Sequence, residues 1–221
     1  MSLITIKKHR GYTLLEILIG IAIGLFLLAG SIAIYISLMR SFYSVMAVNR
    51  LDQQLRSAMN MMVIEIRRAG YSANAANDIG SGTITNPFMA SANDITVPVS
   101  SCILFTYDTD SNGTMPSLNS AGYDKRFGFR LSNNVLQARA ATDSFFDCNN
   151  GNWINLTDPN QIQVTNLSFN LTPTVITLSN GISTLTIRNV TVNLTGSLIS
   201  DNSVSRTFTQ VIRVRNDKFQ P

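Results

Sequence analysis

The chain has 221 residues and a mass of 24.2 kDa, room for one ordinary domain with an appendage. Hydrophobic residues make up 45% and charged residues 14%, at a mean hydropathy of +0.14, which excludes a chain kept disordered by charge. The net charge is +4 from only 17 Lys+Arg, which argues against a nucleic-acid binder built on dense basic clusters.

The apolar excess is concentrated near the N-terminus. No residue from Ile17 to Met39 is charged, a run of about 23, and about 20 apolar residues in a helix cross a bilayer core. The run is too long for the apolar region of a secretory signal peptide, usually about 7–15 residues. Lys7, Lys8 and Arg10 precede it, so the positive-inside rule keeps the amino terminus cytoplasmic and exports the rest. Glu16 stands at the edge of this span, where a carboxylate costs about 2.5–3.5 kcal/mol and calls for a partner.

The order of features is Lys7, Lys8 and Arg10, then Gly11-Tyr12-Thr13-Leu14-Leu15-Glu16, then about twenty apolar residues. It resembles the prepilin leader of type IV pilins, whose pattern is G-F-T-L-x-E before an apolar helix; Tyr12 stands where Phe is commoner. The resemblance implies that a membrane prepilin peptidase cuts after Gly11 and methylates the new amine on Tyr12. It also implies that Glu16 neutralises the terminal amine of a neighbouring subunit during assembly, as two charges in a low-dielectric bundle must pair.

The helical pattern continues past Met39. Leu51, Leu55, Met59, Met62 and Ile66 recur at spacings of three and four, one apolar stripe of an amphipathic helix. Asp52 and Arg56 are placed to pair at i,i+4. The pattern predicts a helix from Leu14 to Ala69 capped by Gly70, and reads Met59, Met61 and Met62 as core. Gly20 and Gly24 form a small-xxx-small pair that lets helices approach in lipid. The ending Arg67-Arg68-Ala69-Gly70-Tyr71 is similar to that of PilW-type minor pilins.

After Tyr71, Asn, Ser, Thr and Gly dominate and strand-like runs appear. Strands are predicted over Ile95–Val97 (stopped by Pro98), Ile103–Tyr107, Arg126–Leu131, Val135–Arg139, Val164–Leu171, Thr184–Leu194 and Arg206–Arg215. Asn133-Asn134 reads as a hairpin turn. The spacing of Phe208, Val211 and Val214 departs from period two and allows a bulge, and Asn74–Ser91 reads as a loop. The expected fold is α+β, a pilin fold: a long N-terminal helix, half membrane and half amphipathic, packed on an antiparallel sheet. Its parts are a cleaved leader over 1–11, a transmembrane or filament-core helix over 12–40, an amphipathic half over 41–70 and an exported β-rich domain over 71–221. Cys102 and Cys148, the two cysteines, are expected to bond in an oxidising compartment.

Asp108-Thr109-Asp110-Ser111-Asn112-Gly113 matches the opening of a calcium loop, D-x-D-x-N-G. Asn119 stands where such a loop carries its bidentate Glu, and Asp124 is the nearest later acid. The readings are a weak structural calcium site on Asp108, Asp110 and Asn112, or an Asx-rich surface turn; no other cofactor is expected. His9, the single histidine, lies in the leader, so the mature chain has no histidine for a triad or zinc site, and no enzyme activity is expected. The Arg206, Arg213, Arg215 and Lys218 cluster reads as a solvated strand face rather than a DNA site.

The pilin resemblance implies a minor pilin of a type IV pilus. Such a chain is stored in the bacterial inner membrane and then joins other minor pilins to prime or cap the fibre. The implied partners are prepilin peptidase, other minor and major pilins, and the inner-membrane assembly platform. The alternatives are a J-type pseudopilin of type II secretion and a tip-located adhesin or DNA-uptake module.

Overall fold

A computed structural model describes residues 11–76, 86–118, 125–140 and 145–221. The leader bases, the middle of the expected Asn74–Ser91 loop, Asn119 and Asp124 lie outside the described residues. The chain divides into two compact units, the first ending at Ala47 and the second beginning at Val48.

In the first unit, helix α1 begins at Leu14 and runs as one element to Arg68 in the second. Thr13 starts it: its carbonyl accepts from Glu16 N–H at 3.1 Å and Ile17 N–H at 3.2 Å, and its Oγ1 from Glu16 N–H at 3.3 Å. No proline interrupts the run, and Leu, Ile and Ala are adequate helix formers in an apolar setting. Its best 18-residue window has a mean hydropathy of 2.7 with none of it buried, so nothing within the unit shields its apolar surface. A Cβ at Gly20 or Gly24 would meet open space.

The second unit has its own core. The α1 stripe supplies Leu51, Leu55, Ala58, Met59, Met62 and Ile66, all buried, while Met61 points outward at 43% exposure. The helix stops at Arg68 because Gly70 takes a left-handed φ of 75°, where any side chain would be strained and would also meet Met89. The freed helix end is tied to the sheets: Gly70 N–H donates to Thr106 O at 2.7 Å, and Arg215 N–H to Arg67 O at 3.0 Å.

The strands form two sheets instead of the single sheet expected. The first is an antiparallel meander, β1(Thr96–Val99)-β2(Cys102–Thr106)-β3(Arg126–Ser132)-β4(Val135–Arg139)-β5(Trp153–Asn155). The second pairs β6(Ile162–Thr177), β7(Thr184–Leu198) and β8(Ser205–Arg213) in that order, with β9(Lys218–Gln220) on the far end of β7. Hydrogen bonds join them where Phe169 N–H meets Ser100 O at 2.7 Å and Val164 N–H meets Asn134 O at 2.8 Å. Strand β2 is buried at every residue, with Tyr107 beyond its end bonded to Glu65 of the helix and Thr106 Oγ1 bonded to Phe88 O and Asn93 O of the preceding segment. The β3–β4 turn is the predicted one, with Asn133 and Asn134 at φ 50° and 61°.

Four details differ from the sequence expectation. Pro98 lies inside β1, and Pro173 lies inside a β6 that continues to Thr177; both strands are edges, where the missing N–H faces no partner. The bulge that the spacing allowed in β8 is absent, since its register with β7 is unbroken from Arg206 to Arg213. Ile212 is inward and Val211 is a 61% exposed outer residue. The bulge lies instead in β6, between Val164 and Asn166; it shifts the buried phase from Ile162 and Val164 to Leu167 and Phe169. Strands β5 and β9, at three residues each, are too short to show a period.

Candidate functional site

Gly11, Tyr12 and Thr13 precede the first turn of α1, and Glu16 lies in that turn. Glu16 is the third helical residue after Thr13, so Thr13-x-x-Glu16 has the spacing of a capping box. That local role was legible in the sequence but overshadowed by the leader pattern. The position also favours an acid, because the helix N-terminus carries partial positive charge. Around it Leu14, Leu15, Ile17, Leu18 and Ile19 are each about half exposed or more, 49–81%. The geometry is therefore one exposed carboxylate on an apolar cylinder, next to the Gly11–Tyr12 bond. A bare apolar surface of this extent marks a membrane or protein contact.

A second cluster lies in the second unit, at the Asp108–Gly113 loop. Four oxygens of the loop converge on one point: Asp108 Oδ1, Asp110 Oδ1, Asn112 Oδ1 and the Thr114 carbonyl. The group at that point is the Lys125 ammonium, at 2.6, 2.5, 2.6 and 2.9 Å respectively. The second Asp108 oxygen accepts from Gly113 N–H at 2.8 Å and Ala73 N–H at 3.2 Å. Lys125 and Asp108 are almost wholly buried, with side chains 1% and 0% exposed. Thus the loop read as either a weak calcium site on Asp108, Asp110 and Asn112 or an Asx-rich turn closes on a cation supplied by the chain. Among the described residues no group of three or more His, Cys, Asp or Glu could hold a metal ion.

Burial pushes the Asp108 carboxyl up, but Lys125, the Gly113 and Ala73 N–H groups and Asp110 outweigh it and hold the group down at about 2. Burial likewise lowers Lys125, and its two carboxylates more than reverse that. A depressed acid contributes stability that is full above its unfolded value and lost as pH falls through the folded one. Acid titration of the purified protein is therefore expected to remove on the order of 2 kcal/mol between about pH 4 and pH 2. The check is the guanidinium midpoint followed at steps of pH.

Cys102 and Cys148 are bonded, closing a sequence separation of 46. The Cys148 carbonyl accepts from Arg130 Nη1 at 2.8 Å, and the Arg130 guanidinium lies 4.4 Å from the Trp153 ring centre. The basic cluster at the C-terminal end is partly neutralised: Lys218 pairs with Asp94 at 2.8 Å and Arg213 with Asp217 at 3.1 Å. Arg188, which sequence reasoning missed, is buried and bonds Asp94 and the Asn216 carbonyl, so the C-terminal segment is anchored to β7.

A long helix with a bare apolar N-terminal stretch, a leader-type Gly-Tyr-Thr-Leu-Leu-Glu start and antiparallel sheets packed on its second half define a pilin-like protein. The prokaryotic N-terminal methylation motif matches residues 6–32. The chain belongs to the family of prepilin peptidase-dependent protein B, whose model matches residues 44–214. It is thus a pilin-like structural protein processed by prepilin peptidase, from a family that is generally non-enzymatic. No curated protein and no solved structure matches it.

Proposed function

We propose that this chain is a PilW-like minor pilin of a type IV pilus, cut after Gly11, methylated on Tyr12 and anchored by its apolar helix in the bacterial inner membrane. From there it joins other minor pilins in a helix bundle that primes or caps the fibre. The observation that carries this reading is Glu16, a single exposed carboxylate opening a helical stretch that has no charge from Ile17 to Met39 and whose most apolar window is not buried. In a bundle of such helices the terminal amine freed beside Tyr12 needs one counter-charge from a neighbour, and Glu16 supplies it. The Arg67–Tyr71 ending, with Gly70 forced into its left-handed turn, favours the PilW type over a major pilin. The chain meets the peptidase first, then the assembly platform, then other pilins.

Glu16→Ala is expected to leave leader removal intact and to cut piliation severely. Leaving the neighbour's amine unpaired costs about 2.5–3.5 kcal/mol, on the order of 10²-fold in assembly. Mass spectrometry of the membrane fraction and a count of surface pili check both halves; normal piliation would sink the assembly role. Flanking minor pilin genes would separate the pilus from the type II secretion pseudopilin, which shares the leader. The adhesin or DNA-uptake alternative has less support, because Lys218 and Arg213 are already paired.

A further inference from the structure

The Asp108 loop reproduces, ligand for ligand, the first half of a helix–loop–helix type calcium loop. Such a loop supplies oxygens from its first, third and fifth side chains and its seventh backbone carbonyl, with glycine sixth. Counted from Asp108, those are Asp108, Asp110, Asn112, the Thr114 carbonyl and Gly113, which has a φ of 71°. The Thr114 carbonyl and the three side chains are the four oxygens on Lys125 Nζ, within 2.5–2.9 Å. The ammonium has three protons for these four oxygens, and the Phe88 ring lies 5.5 Å from it. Lys125 is brought there by the β2–β3 register, in which Thr106 pairs Arg126 and Tyr107 N–H donates to Lys125 O at 3.2 Å.

We propose that Lys125 is a covalently tethered substitute for a divalent cation, and that the Asp108 loop is a latent calcium site which the wild-type chain keeps closed. Two features favour the lysine over free calcium. The twelfth position, where the bidentate acid belongs, is Asn119, so calcium would gain no further carboxylate there. The lysine also competes intramolecularly, at an effective concentration of about millimolar or more, against a site class that holds calcium at only about 10⁻⁴–10⁻³ M. Removal of the ammonium leaves two carboxylates, an amide oxygen and a carbonyl facing one another, a hard-oxygen set suited to calcium. The exported domain thereby sets this loop without drawing on external calcium. This inference does not depend on the minor pilin reading.

The test uses the full chain in detergent micelles, wild type against Lys125→Met, titrated calorimetrically with calcium chloride. Wild type is expected to show no binding. Lys125→Met is expected to bind one calcium at about 10⁻⁴–10⁻³ M, and its Tm to rise by about 3–6 °C at tenfold excess over Kd. Adding Asp108→Asn to Lys125→Met should abolish both responses. Stoichiometric binding to wild type that is lost in Asp108→Asn overturns the proposal, and so does a folded Lys125→Met that takes no calcium. If Lys125→Met folds only when calcium is present, that supports it. If it folds under no condition, the wild-type Lys125 ammonium resonance decides. A slowly exchanging Nζ signal unmoved by 10-millimolar-scale calcium (about 10 times the weakest Kd) supports the proposal, and displacement of that signal by calcium refutes it.

Discussion

Asp108→Ala is expected to destabilise the second unit by about 3–5 kcal/mol. The substitution removes the fully buried partner of Lys125 and leaves the ammonium, 1% exposed, with one carboxylate among the described residues, the partly exposed Asp110. It also removes the acceptor of the Gly113 and Ala73 N–H groups, which fix the turn around Asp108. An internal comparison shows why burial decides the size. Asp52 and Arg56 approach as closely, at 2.5 Å, but their side chains are 32% and 62% exposed; that pair is worth about 0–1 kcal/mol. Guanidinium unfolding of Asp108→Ala and Asp52→Ala side by side measures both. Equal midpoint shifts would show that the buried Lys125 cluster contributes no more than a surface pair.

Loss of the Cys102–Cys148 bond is expected to cost about 4 kcal/mol, by the chain-entropy model for a separation of 46. The bond holds the segment around Cys148 against the start of β2. Without it, non-covalent contacts remain to order that segment, among them Arg130 on the Cys148 carbonyl, Arg139 on the Phe145 carbonyl and the turn bonds of Asp147 to Asn149 and Asn150. Trp153, the only tryptophan, follows directly after and stacks on Arg130, so its fluorescence is the natural probe. Cys102→Ser with Cys148→Ser, or reduction of wild type, should lower the guanidinium midpoint and alter the Trp153 emission together. An unchanged midpoint would mean that strand pairing alone fixes this loop.

Parts of the molecule that depend on neighbours along the chain were legible in the sequence. The apolar run, the buried stripe from Leu51 to Ile66, the Gly70 stop and the Asn133-Asn134 turn follow from period and from single-residue backbone preference. The capping spacing of Thr13 and Glu16 was equally local. The split into two sheets was not legible, because strand partners are chosen across long separations, and neither the fully buried β2 nor the alternating β7 carries a local mark of the sheet it joins. A bulge that the spacing allowed in β8 lies in β6 for a related reason: an outward Val211 and a phase shift look alike when the partner strand is unknown.

Lys125 shows the same division at the site. The loop from Asp108 to Gly113 was readable as an oxygen-rich cation seat from spacing alone. Its occupant lies 17 residues further on and arrives only through the antiparallel pairing of β2 with β3. By itself, then, the sequence determined the membrane-length helix, the leader-type start, the acid at Glu16 and the oxygen donors of the loop, all of which are set by residue order over a turn or two. Tertiary structure decided which sheet each strand joined, which cation filled the Asp108 seat and how the C-terminal segment was anchored by Arg188. Those outcomes rest on burial and pairing between residues far apart in the chain, and local pattern carries no record of them.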